Sequence, residues 1–291
     1  MKFTGIVPAL VTPFDARQQI DEQAFGNLIE SLIDAGVHGL FVLGTNGEFF
    51  ALSEAEKVRI ARLTVEAARG RVPVIAGTGA FATRDVIELN KKMTDVGVQA
   101  LSVITPFFNA VSQAELINHY SAIGDASPLP IMLYNIPAKT GMSIGIPAVA
   151  TLSQHPQIKG IKDSAGNFDS LVQMLRYRSD DFAVFAGTDS LIYWNLLAGG
   201  DGAVAATANA VPQVVMDIWN RFQAGDHDGA RAAQEALRPL RDAFALGTMP
   251  SVLKKATDLL NVRVGPCRAP TAELDAQTVH KLEGLLSVYR A

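Results

Sequence analysis

Short runs of β-branched and apolar residues alternate along the chain with longer stretches in which apolar positions recur every three or four residues, the rhythm of βα units around a parallel sheet. The strand candidates are Gly5–Val11, Gly39–Leu43, Val72–Ala76, Ala100–Ile104, Pro130–Asn135, Ile158–Lys162, Ala183–Ala186 and Gly202–Ala205. Helical patterns lie between them, among them Gln23–Ala35, Glu54–Arg69, Thr83–Val96, Asp169–Arg178 and Pro212–Ala224. Ser53 with Glu56, and Ser112 with Glu115, have the spacing of a capping box, so two helix starts are marked independently of periodicity. After about Gly225 only helical patterns follow, at His227–Ala245, Ser251–Leu260 and Ala272–Tyr289.

Eight even units predict an α/β fold, a (β/α)8 TIM barrel over residues 1–225 with its active site at the C-terminal strand ends. Residues 226–291 read as an all-helical C-terminal extension. A doubly wound open sheet uses the same units and is the alternative architecture.

The 291 residues are 48% hydrophobic and 19% charged, enough to bury a large core. A net charge of −4 with scattered Lys and Arg offers no basic stripe for phosphates, which argues against a nucleic-acid partner. No apolar run reaches the roughly 18 residues of a membrane span, and the opening Met1-Lys2-Phe3-Thr4-Gly5 leads into a strand pattern rather than a signal sequence. The expectation is a cytoplasmic protein with a small-molecule partner. The single cysteine, Cys267, has no internal disulfide partner and reads as an ordinary thiol.

Side chains alternate faces along a strand, so Lys159 and Lys162 of Ile158-Lys159-Gly160-Ile161-Lys162-Asp163-Ser164 point in opposite directions. Lys162 shares parity with Gly160 and sits at the strand end, where a barrel's pocket opens, whereas Lys159 shares parity with Ile161 and suits the outer layer, its ammonium reaching outward. A lysine in an apolar interior loses hydration, which favours the neutral amine that attacks a ketone. The competing reading is a rim lysine paired with Asp163. Tyr134 ends the neighbouring strand and can meet Lys162 across one strand spacing, either to move protons or to anchor the rim.

Gly44-Thr45-Asn46-Gly47 after the second strand can form an anion-binding turn, although an ordinary βα turn has the same composition. Ala76-Gly77-Thr78-Gly79-Ala80-Phe81-Ala82 formally satisfies a dinucleotide fingerprint, but it lies in the third unit and the next strand ends Thr105-Pro106 where an acidic residue is needed. The five histidines show no metal-ligand spacing.

Taken in order, Gly44-Thr45-Asn46-Gly47-Glu48, Gly77-Thr78-Gly79, Thr105-Pro106-Phe107-Phe108, Tyr134-Asn135-Ile136-Pro137, Gly160-Ile161-Lys162-Asp163 and Gly202-Ala203-Val204 resemble the dihydrodipicolinate synthase / N-acetylneuraminate lyase family over nearly the whole chain. The resemblance implies a lysine-dependent class I aldolase that needs no metal or organic cofactor and assembles as a homotetramer or homodimer. It implies that Lys162 is the Schiff-base lysine and Tyr134 the proton relay, with Thr45 catalytic as well as binding. Thr45 and Asn46 would bind the 2-oxo acid's carboxylate, Val204 would line the pyruvate, and Gly187, Thr188 and Asp189 would contact substrate hydroxyls.

Three positions depart from the synthase pattern. Thr45-Asn46 replaces Thr-Thr, Phe107-Phe108 replaces a Tyr pair whose second member reaches a neighbouring subunit, and Lys139 replaces an Arg for the second substrate's carboxylate. Phenylalanine carries no proton, and lysine lacks the bidentate fork. With Leu152-Ser153-Gln154-His155-Pro156 and Gly265-Pro266-Cys267-Arg268-Ala269-Pro270, the chain looks closest to 4-hydroxy-2-oxoglutarate and 2-keto-3-deoxy-aldonate aldolases. The expectation is a pyruvate aldolase acting on a hydroxylated 2-oxo acid. The alternatives are a synthase condensing pyruvate with aspartate semialdehyde, and a non-catalytic barrel that binds a sugar acid.

Overall fold

The computed structural model describes residues 3–290, so Met1, Lys2 and Ala291 lie outside the described residues. Eight parallel strands form one sheet: β1 (Gly5–Pro8), β2 (Leu40–Val42), β3 (Val74–Gly77), β4 (Ala100–Ile104), β5 (Ile131–Asn135), β6 (Ile158–Asp163), β7 (Ala183–Ala186) and β8 (Gly202–Ala205). β1 pairs with β8 along one side, and on its other side the His38 N–H donates to the Ile6 carbonyl at 2.8 Å. Beyond Pro8, Ala9 bridges to Phe41 and the Leu10 N–H donates to the Phe41 carbonyl at 2.9 Å, which brings β1 to β2 and closes the barrel. The open-sheet alternative is thereby set aside.

Strand alternation sorts the side chains into two apolar layers. Val7, Phe41, Ile75, Met132, Phe185 and Val204 belong to a cluster inside the barrel, while residues of opposite parity such as Val42, Leu101, Leu133 and Ile161 pack between sheet and helices. Both capping boxes form as the spacing predicts, with Glu56 and Glu115 each accepting the amide of its N-cap serine. The strands at Ala100–Ile104, Ala183–Ala186 and Gly202–Ala205 and the helix at Thr83–Val96 have the predicted bounds.

The C-terminal helices differ from expectation in one respect. The stretch His227–Ala245 is two helices, His227–Ala236 and Arg238–Ala243, followed by a 3-10 turn at Phe244–Leu246. Pro239 has no N–H to continue the first helix, so the break falls just before it. Helices Met249–Leu260 and Ala276–Leu286 complete the extension. No helix among the described residues is long and apolar enough to cross a membrane.

One arginine ties the C-terminal segment to the barrel. The Arg268 guanidinium donates to the Glu56 carboxylate at 2.8 and 3.0 Å and to the carbonyls of Ala51 and Gln18 at 2.9 and 2.7 Å. The hydrogen bond from Arg268 holds the Glu56 carboxyl down at about 2. A carboxyl whose folded value lies below its unfolded value of 4.5 stabilises the fold above that value, and the contribution is lost as pH falls toward about 2. Lowering the pH from 5 to 3 should therefore reduce the melting temperature of the wild type more than that of Glu56→Gln, which keeps the capping geometry but has no charge to lose. For a part-buried pair at the surface the difference should stay within about 1 kcal/mol, or roughly 2 °C. Parallel melting curves against pH for the two proteins would show that Arg268 does not hold this segment through charge.

Candidate active site

The register of β5 against β6 pairs Tyr134 with Lys162, and both side chains enter the barrel at its C-terminal end. Lys162 is 4% exposed. Its Nζ stands 3.8 Å from the centroid of the Tyr134 ring and 4.8 Å from that of Phe41, so the amine lies between two aromatic faces. Among the described residues it makes no ion pair. Asp163 has the opposite parity and turns toward the helix layer, accepting the Asn135 side-chain amide at 2.6 Å and the Ala165 N–H at 3.4 Å. Burial pushes the Asp163 carboxyl up, and the bond from Asn135 opposes the shift. The rim pairing of Lys162 with Asp163 is therefore not formed. Lys159 points outward as its parity predicts and meets Asp181 at 3.1 Å.

Gly187, on the loop after β7, makes room for the lysine. A Cβ there would come within 3.0 Å of Lys162 Cε and 2.1 Å of Ser164 Oγ. The Tyr134 hydroxyl lies 3.2 Å from Thr45 Oγ1, and either oxygen can donate. That contact links the end of β5 to the turn after β2, so lysine, phenol and threonine form one connected group.

The turn itself is closed by Gly47 N–H to Gly44 O and Glu48 N–H to Thr45 O, at 3.1 and 3.2 Å. Thr45 and Asn46 are partly exposed at its tip. Their backbone amides donate to no acceptor among the described residues, which leaves two N–H groups for an anion. Val204 is buried in the barrel's inner cluster. The glycine pair after β3 has a packing role: a Cβ on Gly77 would come within 2.2 Å of the Leu43 carbonyl. The fingerprint-like sequence is thus a close strand approach.

Other predicted residues are placed differently. Asp189 is buried, and its carboxylate accepts the N–H groups of Ala206 and Thr207 at 3.3 and 2.6 Å. It ties the loop after β7 to the end of β8, so its carboxylate already has two protein donors where the resemblance implies contact with substrate hydroxyls. Thr188 beside it is partly exposed. Lys139 stands exposed on a single helical turn, Pro137–Thr140, and makes no ion pair among the described residues. Phe108 is fully exposed at 103%, and Phe107 packs edge-on against Phe49 with centroids 6.0 Å apart. Burial and the Glu48 charge push the Cys267 thiol up to about 11, in keeping with an unreactive cysteine.

Two participants escaped the sequence reading. Phe41 forms one wall around Lys162, and its inward parity on β2 was a usable signal. Glu48 is wholly buried, and nothing in Gly44-Thr45-Asn46-Gly47-Glu48 shows that its partner lies 206 residues further along.

Fold and site together define a barrel lyase of the class I aldolase type. The chain belongs to the Dihydrodipicolinate synthetase family, whose model matches residues 2–288. It is 36% identical over 288 residues to the 4-hydroxy-tetrahydrodipicolinate synthase of Oceanobacillus iheyensis, covering 99% of this chain and 97% of that one. It is 37% identical over 283 residues to 4-hydroxy-tetrahydrodipicolinate synthase 1 of Halalkalibacterium halodurans, covering 97% and 96%. Among solved structures, a prophage protein of the dihydrodipicolinic acid synthase family from E. coli K12, in complex with pyruvate, superposes with a TM-score of 0.95 at 34% identity and covers 99% of both chains.

Tyr134→Phe should keep the fold, since the ring still packs against Lys162, while removing the hydroxyl that meets Thr45. Loss of one acid–base group lowers kcat on the order of 10²–10⁴-fold. Turnover equal to that of the wild type would assign Tyr134 to packing alone.

Proposed function

We propose that Lys162 forms an imine with the ketone of pyruvate or a related 2-oxo acid, and that the chain makes or breaks a carbon–carbon bond at the carbon next to that carbonyl. The observation that carries this reading is a buried lysine without a counter-charge, held between two aromatic rings and in register with a tyrosine. The neutral amine adds to the ketone, the carbinolamine loses water, and the protonated imine results. A proton leaves carbon 3, its electron pair flows into the imine, and the enamine attacks an aldehyde; cleavage runs the same steps in reverse. The Tyr134–Thr45 pair moves the protons, and the free amides of Thr45 and Asn46 hold the carboxylate. All of the electron flow passes through the imine, so the scheme calls on no metal or organic cofactor.

For the second substrate, the curated relatives support condensation of pyruvate with aspartate semialdehyde, because two from different genera carry the synthase name over nearly the full length. That support outweighs the expectation, from sequence motifs, of cleavage of 4-hydroxy-2-oxoglutarate or a 2-keto-3-deoxy sugar acid. One observation keeps cleavage as a second reading: neither Phe107 nor Phe108 can carry a proton where the synthase pattern has tyrosines. A non-catalytic role has little support beside an assembled lysine–tyrosine–threonine group. Assembly as a homodimer or homotetramer is part of the proposal, since Phe50, Phe81 and Phe108 are exposed on loops after three adjacent strands.

Incubation with pyruvate and borohydride should add a reduced pyruvyl group to the peptide bearing Lys162. Labelling at Lys159, or no labelling, would remove the mechanism. Purified protein should then be assayed with pyruvate plus aspartate semialdehyde beside 4-hydroxy-2-oxoglutarate, 2-keto-3-deoxygluconate and N-acetylneuraminate. Turnover confined to the last three would decide for cleavage.

Lys139 is proposed to hold the far carboxylate of the second substrate. Lys139→Ala should raise KM for a substrate with a distal carboxylate by roughly 10- to 150-fold, the worth of a charge-assisted hydrogen bond of about 1.5–3 kcal/mol. KM for a substrate with an uncharged tail should barely move, and pyruvate labelling of Lys162 should persist. Equal changes for both substrate types, or none for either, would show that Lys139 does not select substrate.

A further inference from the structure

The turn that presents Thr45 and Asn46 is bracketed by two non-glycine residues in the left-handed region, Leu43 at φ 60° and Glu48 at φ 56°. Such backbone is disfavoured for residues with a Cβ and persists where the surroundings impose it. At Glu48 they do. Its carboxylate is 0% exposed and accepts the Lys254 ammonium at 2.9 Å through Oε1 and the Arg268 backbone N–H at 2.9 Å through Oε2. Lys254 in turn donates to the Pro266 carbonyl at 2.6 Å and lies over the Phe14 ring, 4.4 Å from its centroid. From the barrel side, Thr12 donates to the Gly47 carbonyl at 2.7 Å. The end of the turn is therefore gripped by side chains and backbone from a segment more than 200 residues away in sequence.

A buried ion pair is a poor device for stability alone. Two charges lose their hydration to form it, and apolar residues of similar volume often serve a fold equally well. Its geometry is nevertheless specific: two fixed donors accept only one placement of the Glu48 carboxylate, and hence of the peptide units before it.

We propose that Lys254 is a positioning residue for 2-oxo acid binding, acting through Glu48 to hold the Thr45–Asn46 amides where the substrate carboxylate meets them. This rests on the reading of that turn as the carboxylate site. Without the pair, Glu48 is free to leave the left-handed region and the tip of the turn moves with it. Displacement by about 1 Å costs up to about 100-fold when hydrogen bonds must align.

The test is borohydride trapping at Lys162 with two carbonyl compounds, pyruvate and acetone, which differ in that acetone has no carboxylate. The variant is the neutral double substitution Glu48→Gln with Lys254→Met, which leaves no unpaired buried charge. Its melting temperature should stay close to that of the wild type. The pyruvate concentration for half-maximal trapping should rise by about 10-fold or more, while that for acetone is unchanged. Should the double variant fail to fold, Glu48→Asp keeps the buried charge pair while shortening the side chain by one methylene, and should shift pyruvate in the same sense by a smaller factor. A pyruvate-to-acetone ratio equal to that of the wild type in a folded variant overturns the proposal. Failure of the wild type to trap either compound at Lys162 would instead overturn the imine reading on which it rests.

Discussion

An amine enclosed by a barrel of parallel strands, with aromatic faces on two sides and no carboxylate among the described residues paired with it, is the constraint around which this molecule is arranged. Strand parity aims Lys162 inward, and the β5–β6 register places Tyr134 directly beside it. The same parity turns Asp163 outward, where the Asn135 side-chain amide donates to it. A shift of one residue in β6 would exchange Lys162 for Asp163 in the interior and dismantle the site. Gly187 answers the same demand from β7, since any side chain there would press on the lysine stem.

Much of this was legible in the sequence because it is local. Parity along Ile158–Asp163 distinguishes Lys162 from Lys159, and the two capping boxes report helix starts whose hydrogen bonds close within three residues. The eight-unit rhythm predicts the barrel because each unit buries its own apolar face. Boundaries were less legible where partners change. β1 lies between β8 and β2, with Ala9 still donating to the Ala205 carbonyl of β8 while Leu10 donates to Phe41 of β2, and no periodicity records where such shared pairing ends.

What the sequence hid depends on distance along the chain. Asp189 sits in a loop for which the family resemblance implies contact with substrate hydroxyls, and only the folded structure reveals that amides after β8 donate to it. Glu48 looked like the tail of a turn motif, although its partners come from the helix Met249–Leu260 and the loop that follows it. Pro239 was visible in His227–Ala245 and its missing N–H could have been weighed more heavily against the periodicity. Phe107, Phe108 and Lys139 were legible as departures, yet what they select depends on a second substrate that periodicity and packing do not describe.

The span between Glu48 and Lys254 bears on the order in which the protein matures. Synthesis proceeds from the N-terminus, so the strands that carry Lys162 and Tyr134 leave the ribosome well before residue 254 and the loop that follows it. Closing a contact across 206 residues is an entropically late event compared with the pairing of adjacent strands. A nascent chain in this state carries Lys162 and Tyr134 before the residues that hold the far end of the Thr45–Asn46 turn have been made.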